Sequence, residues 1–194
     1  MVARAPRRLR RALAAVALAA PAMGPGVVLR AADAPASRRL PSEYHVKAAF
    51  LYHFAQLVEW PALEEGLPFE VGVLGDDVFG PALEQAFQGK RVHEHPLRVR
   101  RYASLRVLQR PPQVLFVVGD DTAAAERVQR ALGHAPVLTV GEAEGFAERG
   151  GMIGFRLTPD GRVAFDINLR RVDQAGLRMS SQLLKLARIV GDEP

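Results

Sequence analysis

Apolar positions along the chain change period several times, and each change marks an element. After Pro41-Ser42-Glu43, a helix-start signal, Tyr44, Ala48, Leu51, Ala55 and Val58 recur every three or four residues, one face of a helix expected to end at Trp60-Pro61. Phe69 to Leu74 is a short apolar run closed by Gly75-Asp76-Asp77, which reads as a buried strand entering a turn. A helix from about Phe79 to Phe87 follows, stopped by Gly89. Leu97 and Val99 alternate with Arg98 and Arg100, a strand with one buried face and a solvated arginine face.

The same order then repeats. Val114 to Val118 leads into Gly119-Asp120-Asp121-Thr122, and a helix is expected from about Ala123 to Leu132 with Gly133 as its stop. Pro136 to Val140 reads as a strand and Gly141 to Glu148 as one short helix. Ile153, Phe155 and Leu157, then Val163, Phe165 and Ile167, alternate on either side of Pro159-Asp160-Gly161, the pattern of a β-hairpin. Asn168 is placed to cap a short helix ending near Gly176. Ser180 or Ser181 caps a last amphipathic helix carrying Leu183, Leu184, Leu186, Ala187 and Val190. The sum is an α/β fold: a single domain with a mixed, mostly parallel sheet flanked by helices, a C-terminal β-hairpin and a final amphipathic helix.

Charge changes the picture once its location is considered. The chain of 194 residues carries a formal +5, but Arg4, Arg7, Arg8, Arg10 and Arg11 sit in the first eleven positions. They precede the nine-residue apolar run Ala12–Ala20 and the small-residue patterns Ala20-Pro21-Ala22 and Ala34-Pro35-Ala36, the layout of a secretory leader. Nine helical residues span only about 14 Å, too short for a bilayer core. We therefore expect residues 1–36 to be signal peptide and linker and residues 37–194 the folded domain. Removing 1–36 takes six of 26 basic and one of 21 acidic residues, leaving 20 of each. A neutral domain gives no overall electrostatic case for nucleic acid or anionic lipid. The chain has no cysteine, which excludes disulfides, thiolate chemistry and a lipid-modified cysteine anchor. The expected product is exported to the periplasm, soluble and not a lipoprotein.

Candidate chemistry is sparse. The turn at Gly72–Phe79 lacks both G-x-G-x-x-G and G-x-x-x-x-G-K-[ST], and Asp76 and Asp77 would oppose phosphates there. Paired acids at Asp76-Asp77 and Asp120-Asp121 read as helix-entry turns rather than a magnesium site. His45, His53, His93, His95 and His134 form no H-E-x-x-H, and two histidines on one strand do not make a closed zinc site. With no G-x-S-x-G elbow, Ser180-Ser181 reads as a cap. No catalytic residue, cofactor or metal is expected, and an enzyme is the least supported class. Gly150-Gly151 marks a sharp turn or a close backbone approach.

Together, Glu43-Tyr44-x-Val46-Lys47-Ala48-Ala49-Phe50-Leu51-Tyr52-x-Phe54, Val58-Glu59-Trp60-Pro61, Gly145-Phe146-Ala147 through Gly150-Gly151-Met152-Ile153, Phe165-Asp166-Ile167-Asn168 and Gly176–Ala187 resemble the YfiR family of periplasmic regulators, over about residues 43–190. The resemblance implies a non-enzymatic inhibitor that binds the periplasmic sensing domain of an inner-membrane diguanylate cyclase, lowering cyclic di-GMP signalling and biofilm formation. It also implies a homodimer and a possible small-molecule ligand. It points to Phe155, Asp166, Ile167 and Val172 as partner-contacting residues. Arg178 and Ser180 are the candidates for an anionic ligand, Arg178 through a charge-assisted fork. Redox control by disulfides, found in some members, cannot carry over to a chain without cysteine. The alternative is a periplasmic small-molecule-binding protein serving another membrane sensor or a transport system.

Overall fold

The computed structural model describes residues 41–191. The expected leader and its boundary lie outside them. The elements run α1 (Pro41–Leu57), β1 (Val58–Glu59), β2 (Phe69–Leu74), α2 (Ala82–Phe87), β3 (Arg91–Val92), β4 (His95–Tyr102), a 3-10 turn (Leu105–Val107), β5 (Val114–Val117), α3 (Ala124–Leu132), β6 (Leu138–Gly141), β7 (Ile153–Leu157), β8 (Val163–Asn168), α4 (Leu169–Gln174), β9 (Arg178–Met179), α5 (Ser181–Leu184) and β10 (Arg188–Val190).

Eight strands form one sheet in the order β10-β8-β7-β6-β5-β2-β4-β3. The pairs β4/β2, β2/β5, β5/β6, β6/β7 and β8/β10 are parallel, whereas β7/β8 and β3/β4 are antiparallel. A mixed, mostly parallel sheet flanked by helices, in one domain, is the fold the sequence pattern led to. The continuous apolar runs are its central strands: β5 and β6 are buried along their whole length, because helices or turns cover both faces.

One core lies under α1. Phe54 stacks on Phe155 at 5.7 Å and meets Phe165 edge-on at 5.0 Å, while Phe50 reaches Phe165 at 5.4 Å. These contacts fasten α1 across the β7–β8 hairpin. The other face carries a second core of Tyr102, Leu115 and Val117 under Ala125 and Val128 of α3 and under Phe146.

Four local expectations need correction. First, α1 stops at Leu57 rather than Trp60, because Val58 and Glu59 leave the helix to pair with Met179 and Arg178 of β9. Second, α2 begins at Ala82, since Gly80-Pro81 delays it. Third, residues 142–150 are successive turns, not a helix. Gly145 takes φ +66°, and the Phe146 ring turns inward into a slot between Gly141 and Gly151. A Cβ on Gly151 would stand 2.2 Å from that ring, so the close approach explains the second glycine. Gly150, at φ +105°, supplies the turn. Fourth, the final amphipathic helix is a single turn, α5, followed by β10: Arg188, Ile189 and Val190 pair with Asp166, Ile167 and Asn168 and complete the sheet edge. Asn168 does cap α4, accepting the Arg171 N–H at 3.1 Å, and Ser180 caps α5 through the Gln182 N–H at 3.2 Å.

Candidate functional site

Parallel strands end together, and a cleft of about 810 Å³ opens outside the carboxyl ends of β5, β6 and β7. Open α/β sheets place ligand crevices at such strand ends. Its floor is a charge cluster. Lys47, at an apolar-stripe position of α1 three residues after Tyr44, is drawn to Glu142 just beyond β6. Lys47 Nζ donates to Glu142 Oε2 at 2.7 Å and lies 2.6 Å from Glu43 Oε1. Glu142 Oε1 accepts the Gly119 N–H at 2.9 Å, and the Tyr44 hydroxyl stands 3.4 Å from both carboxylate oxygens. The Lys47 and Glu142 side chains are only 3% and 2% exposed. Lys47 also lies 4.8 Å from the Tyr44 ring centroid. A buried pair of this kind persists only when hydrogen bonds replace the lost water, and here they join α1 to the β5 and β6 ends.

The rim is a second, wetter cluster. Asp166 of β8 accepts from Arg156 Nε at 3.0 Å and from Arg188 Nε at 2.9 Å, while Arg188 Nη2 reaches its other oxygen at 2.6 Å. The two Arg188 contacts form a bidentate fork. Arg188 Nη2 also reaches Glu148 at 3.0 Å, so one arginine ties the edge strand to the turn after β6. Burial pushes the Asp166 carboxyl up, but hydrogen bonds from Arg188 and Arg156 outweigh it and hold it below its ordinary value. The same bonds hold the Arg188 guanidinium protonated more firmly than usual. Phe146, Phe155 and Leu157 supply apolar lining.

The residues expected to meet a partner divide sharply. Phe155 and Asp166 line this cleft. Ile167 and Val172, at 0% and 1% exposure, are core residues with no surface for a partner in this structure, because their strand and helix face α1 and its neighbours. Arg178 and Ser180 do not line the cleft: Arg178 is exposed in β9, and the Ser180 hydroxyl is engaged in capping α5. The Lys47–Glu142 floor escaped the sequence reading, although a lysine within an apolar helical stripe was a visible signal.

The acidic pairs hold the turns that enter α2 and α3 but do not cap those helices, whose N-cap positions, Pro81 and Ala123, provide no side-chain bond. Asp77 Oδ1 accepts the Phe79 and Gly80 N–H groups, and Asp121 Oδ1 accepts that of Ala123. His93 Nε2 and His95 Nδ1 are spent on the carbonyls of Val58 and Leu67. Among the described residues, no three His, Cys, Asp or Glu side chains stand close enough to hold a metal ion, and no helix is long and apolar enough to cross a membrane.

Comparison with known proteins fits this geometry. A crystal structure of a conserved domain protein from Vibrio cholerae O1 biovar El Tor superposes with a TM-score of 0.54 at 13% identity, covering 76% of this chain and 60% of that one. That likeness is one of fold. No curated protein matches the chain. The family model described as YfiR/HmsC-like matches residues 44–188, a span that holds both cores, the cleft floor and the Asp166–Arg188 clamp. The chain belongs to the YfiR/HmsC-like family.

Proposed function

We propose that this protein is a periplasmic regulator without catalytic activity of its own, which binds the sensing domain of an inner-membrane diguanylate cyclase and holds it inactive. The observation that carries the reading is family membership across nearly the whole described domain. The cleft rim supports it. Phe155 and Asp166 lie beside Arg156 and Leu157, both exposed, so a partner has an apolar and a charged foothold on one hairpin. Inhibition then requires only that the partner's inactive state bind better than its active one. A few kcal/mol of differential affinity moves such an equilibrium decisively. Ile167 and Val172 serve this surface from behind, by fixing β8 and α4.

Deleting the gene is expected to raise cyclic di-GMP and biofilm, measured against the complemented strain. Unchanged levels across growth conditions would overturn the reading. A second reading, small-molecule binding, is favoured by the cleft volume of about 810 Å³, which suits a small ligand. A ligand thermal-shift screen tests it: stabilisation that Arg156→Gln abolishes would place a ligand at the rim.

A further inference from the structure

Every cation that lines the cleft is already engaged, and two of its carboxylates are not. The lining holds Glu43, Asp120, Glu142, Glu144, Glu148 and Asp166 against Lys47, Arg156 and Arg188, six carboxylates to three cations. Lys47 is shared between Glu43 and Glu142 at 2.6 and 2.7 Å. Arg156 is committed to Asp166 at 3.0 Å, and Arg188 to Asp166 and Glu148 at 2.6 and 3.0 Å. Asp120 and Glu144, exposed on the turns after β5 and β6, pair with no cation among the described residues.

The distribution of this surplus narrows what balances it. Glu43 belongs to α1, Asp120 follows β5, Glu142, Glu144 and Glu148 follow β6, and Asp166 lies on β8. No three of these carboxylates stand close enough to hold one metal ion. The negative charge is therefore spread along the cleft rather than gathered at a point. The uncharged part of the lining includes Ala143, Phe155 and Leu157, of which Leu157 is 53% exposed. An anion, by contrast, would find both rim guanidiniums already bonded to Asp166.

We propose that the cleft binds a linear aliphatic polyamine, its ammonium groups on Asp120 and Glu144 and its methylene chain against Leu157 and Phe155. Such a cation carries several charges separated by short apolar runs, which suits carboxylates placed on separate turns of a partly apolar cleft. A cleft lined with a surplus of one sign also focuses its field and concentrates the opposite charge. The proposal rests on the second reading above, that the cleft holds a small molecule, and gives that molecule its chemical class. Its sign is opposite to that of the anionic ligand expected from the sequence at Arg178 and Ser180, which line no part of the cleft.

The test is isothermal titration calorimetry of the exported protein with spermidine. Binding is expected at low salt and to weaken as salt rises, whereas hexanediol, which has the methylenes without the charge, is not expected to bind. Asp120→Asn with Glu144→Gln is expected to lower the affinity about tenfold. Both side chains are exposed and hold no cation among the described residues, so the variant keeps its fold, which circular dichroism checks. Leu157→Ser lowers binding less. Glu65→Gln with Asp173→Asn, equally exposed but outside the cleft lining, is expected to leave it unchanged. Four results overturn the proposal: no spermidine binding at low salt, binding indifferent to the cleft double variant, an equal loss from the double variant outside the cleft, or magnesium binding as tightly as spermidine. A ligand that Arg156→Gln releases and the carboxylate variant retains would overturn the polyamine and leave the small-molecule reading standing. If a broad screen finds no ligand of either charge, both fall. Binding of a basic peptide without spermidine would replace the polyamine with a protein partner.

Discussion

The floor and the rim of the cleft are both built from lysine or arginine on carboxylate, yet they differ in what water can reach. Lys47 and Glu142 are sealed beneath the Tyr44 and Phe155 rings, whereas Asp166 is sealed but its partners Arg156 and Arg188 stand half in solvent. A sealed pair cannot be exchanged for a partner's charge without exposing an uncompensated ion. An arginine in solvent can turn to a new carboxylate at small cost. The floor therefore belongs to the fold, and the rim is the part free to serve the recognition proposed here.

The largest expected effect breaks the floor. Lys47→Met strands Glu142 in a dry site and should cost about 3–5 kcal/mol in denaturant unfolding, with part recovered when Glu142→Leu is added. If Lys47→Met is nearly neutral, floor and rim are not different in kind. Next, Gly151→Ala forces a methyl against the Phe146 ring and is expected to cost about 1–3 kcal/mol by overpacking, read as a lowered melting temperature.

The rim should respond more weakly and through pH. Asp166→Asn is expected to cost less than about 1 kcal/mol at neutral pH, because both arginine partners are solvated. The wild-type carboxyl is depressed on folding, so its contribution is complete above the unfolded value near 3.8 and fades as pH falls through the folded one. The variant should lose that part of the acid-side slope in pH-dependent unfolding. Smallest of all, Arg178→Ala should leave stability within about 0.5 kcal/mol, since that exposed side chain is engaged by no carboxylate among the described residues.

What could be read from the chain alone follows the same division between burial and solvent. The run Phe69–Leu74 and the alternation on either side of Pro159-Asp160-Gly161 became β2 and the β7–β8 hairpin, because their apolar pattern is set by which faces the core covers. The stripe Leu183, Leu184, Leu186, Ala187 and Val190 has helical spacing, yet only Ser181–Leu184 forms a helix, since the open edge of β8 takes Arg188–Val190 into the sheet. Long-range pairing of that kind leaves no local period. Asp166 was singled out through the family resemblance, and the structure places it in the cleft lining. Its clamp by Arg188, 22 residues away, and the union of Lys47 with Glu142 depend on strand order and were not legible.

The most direct test of the account asks whether the rim meets the partner. The exported protein would be captured from cross-linked native cells, as wild type and as the rim variants Arg156→Glu and Leu157→Glu, with membrane proteins identified by mass spectrometry. The account predicts that wild type recovers an inner-membrane diguanylate cyclase and that the rim variants, still folded, recover several-fold less. Capture undiminished by either substitution, or efficient cross-linking that recovers no membrane protein, would contradict it.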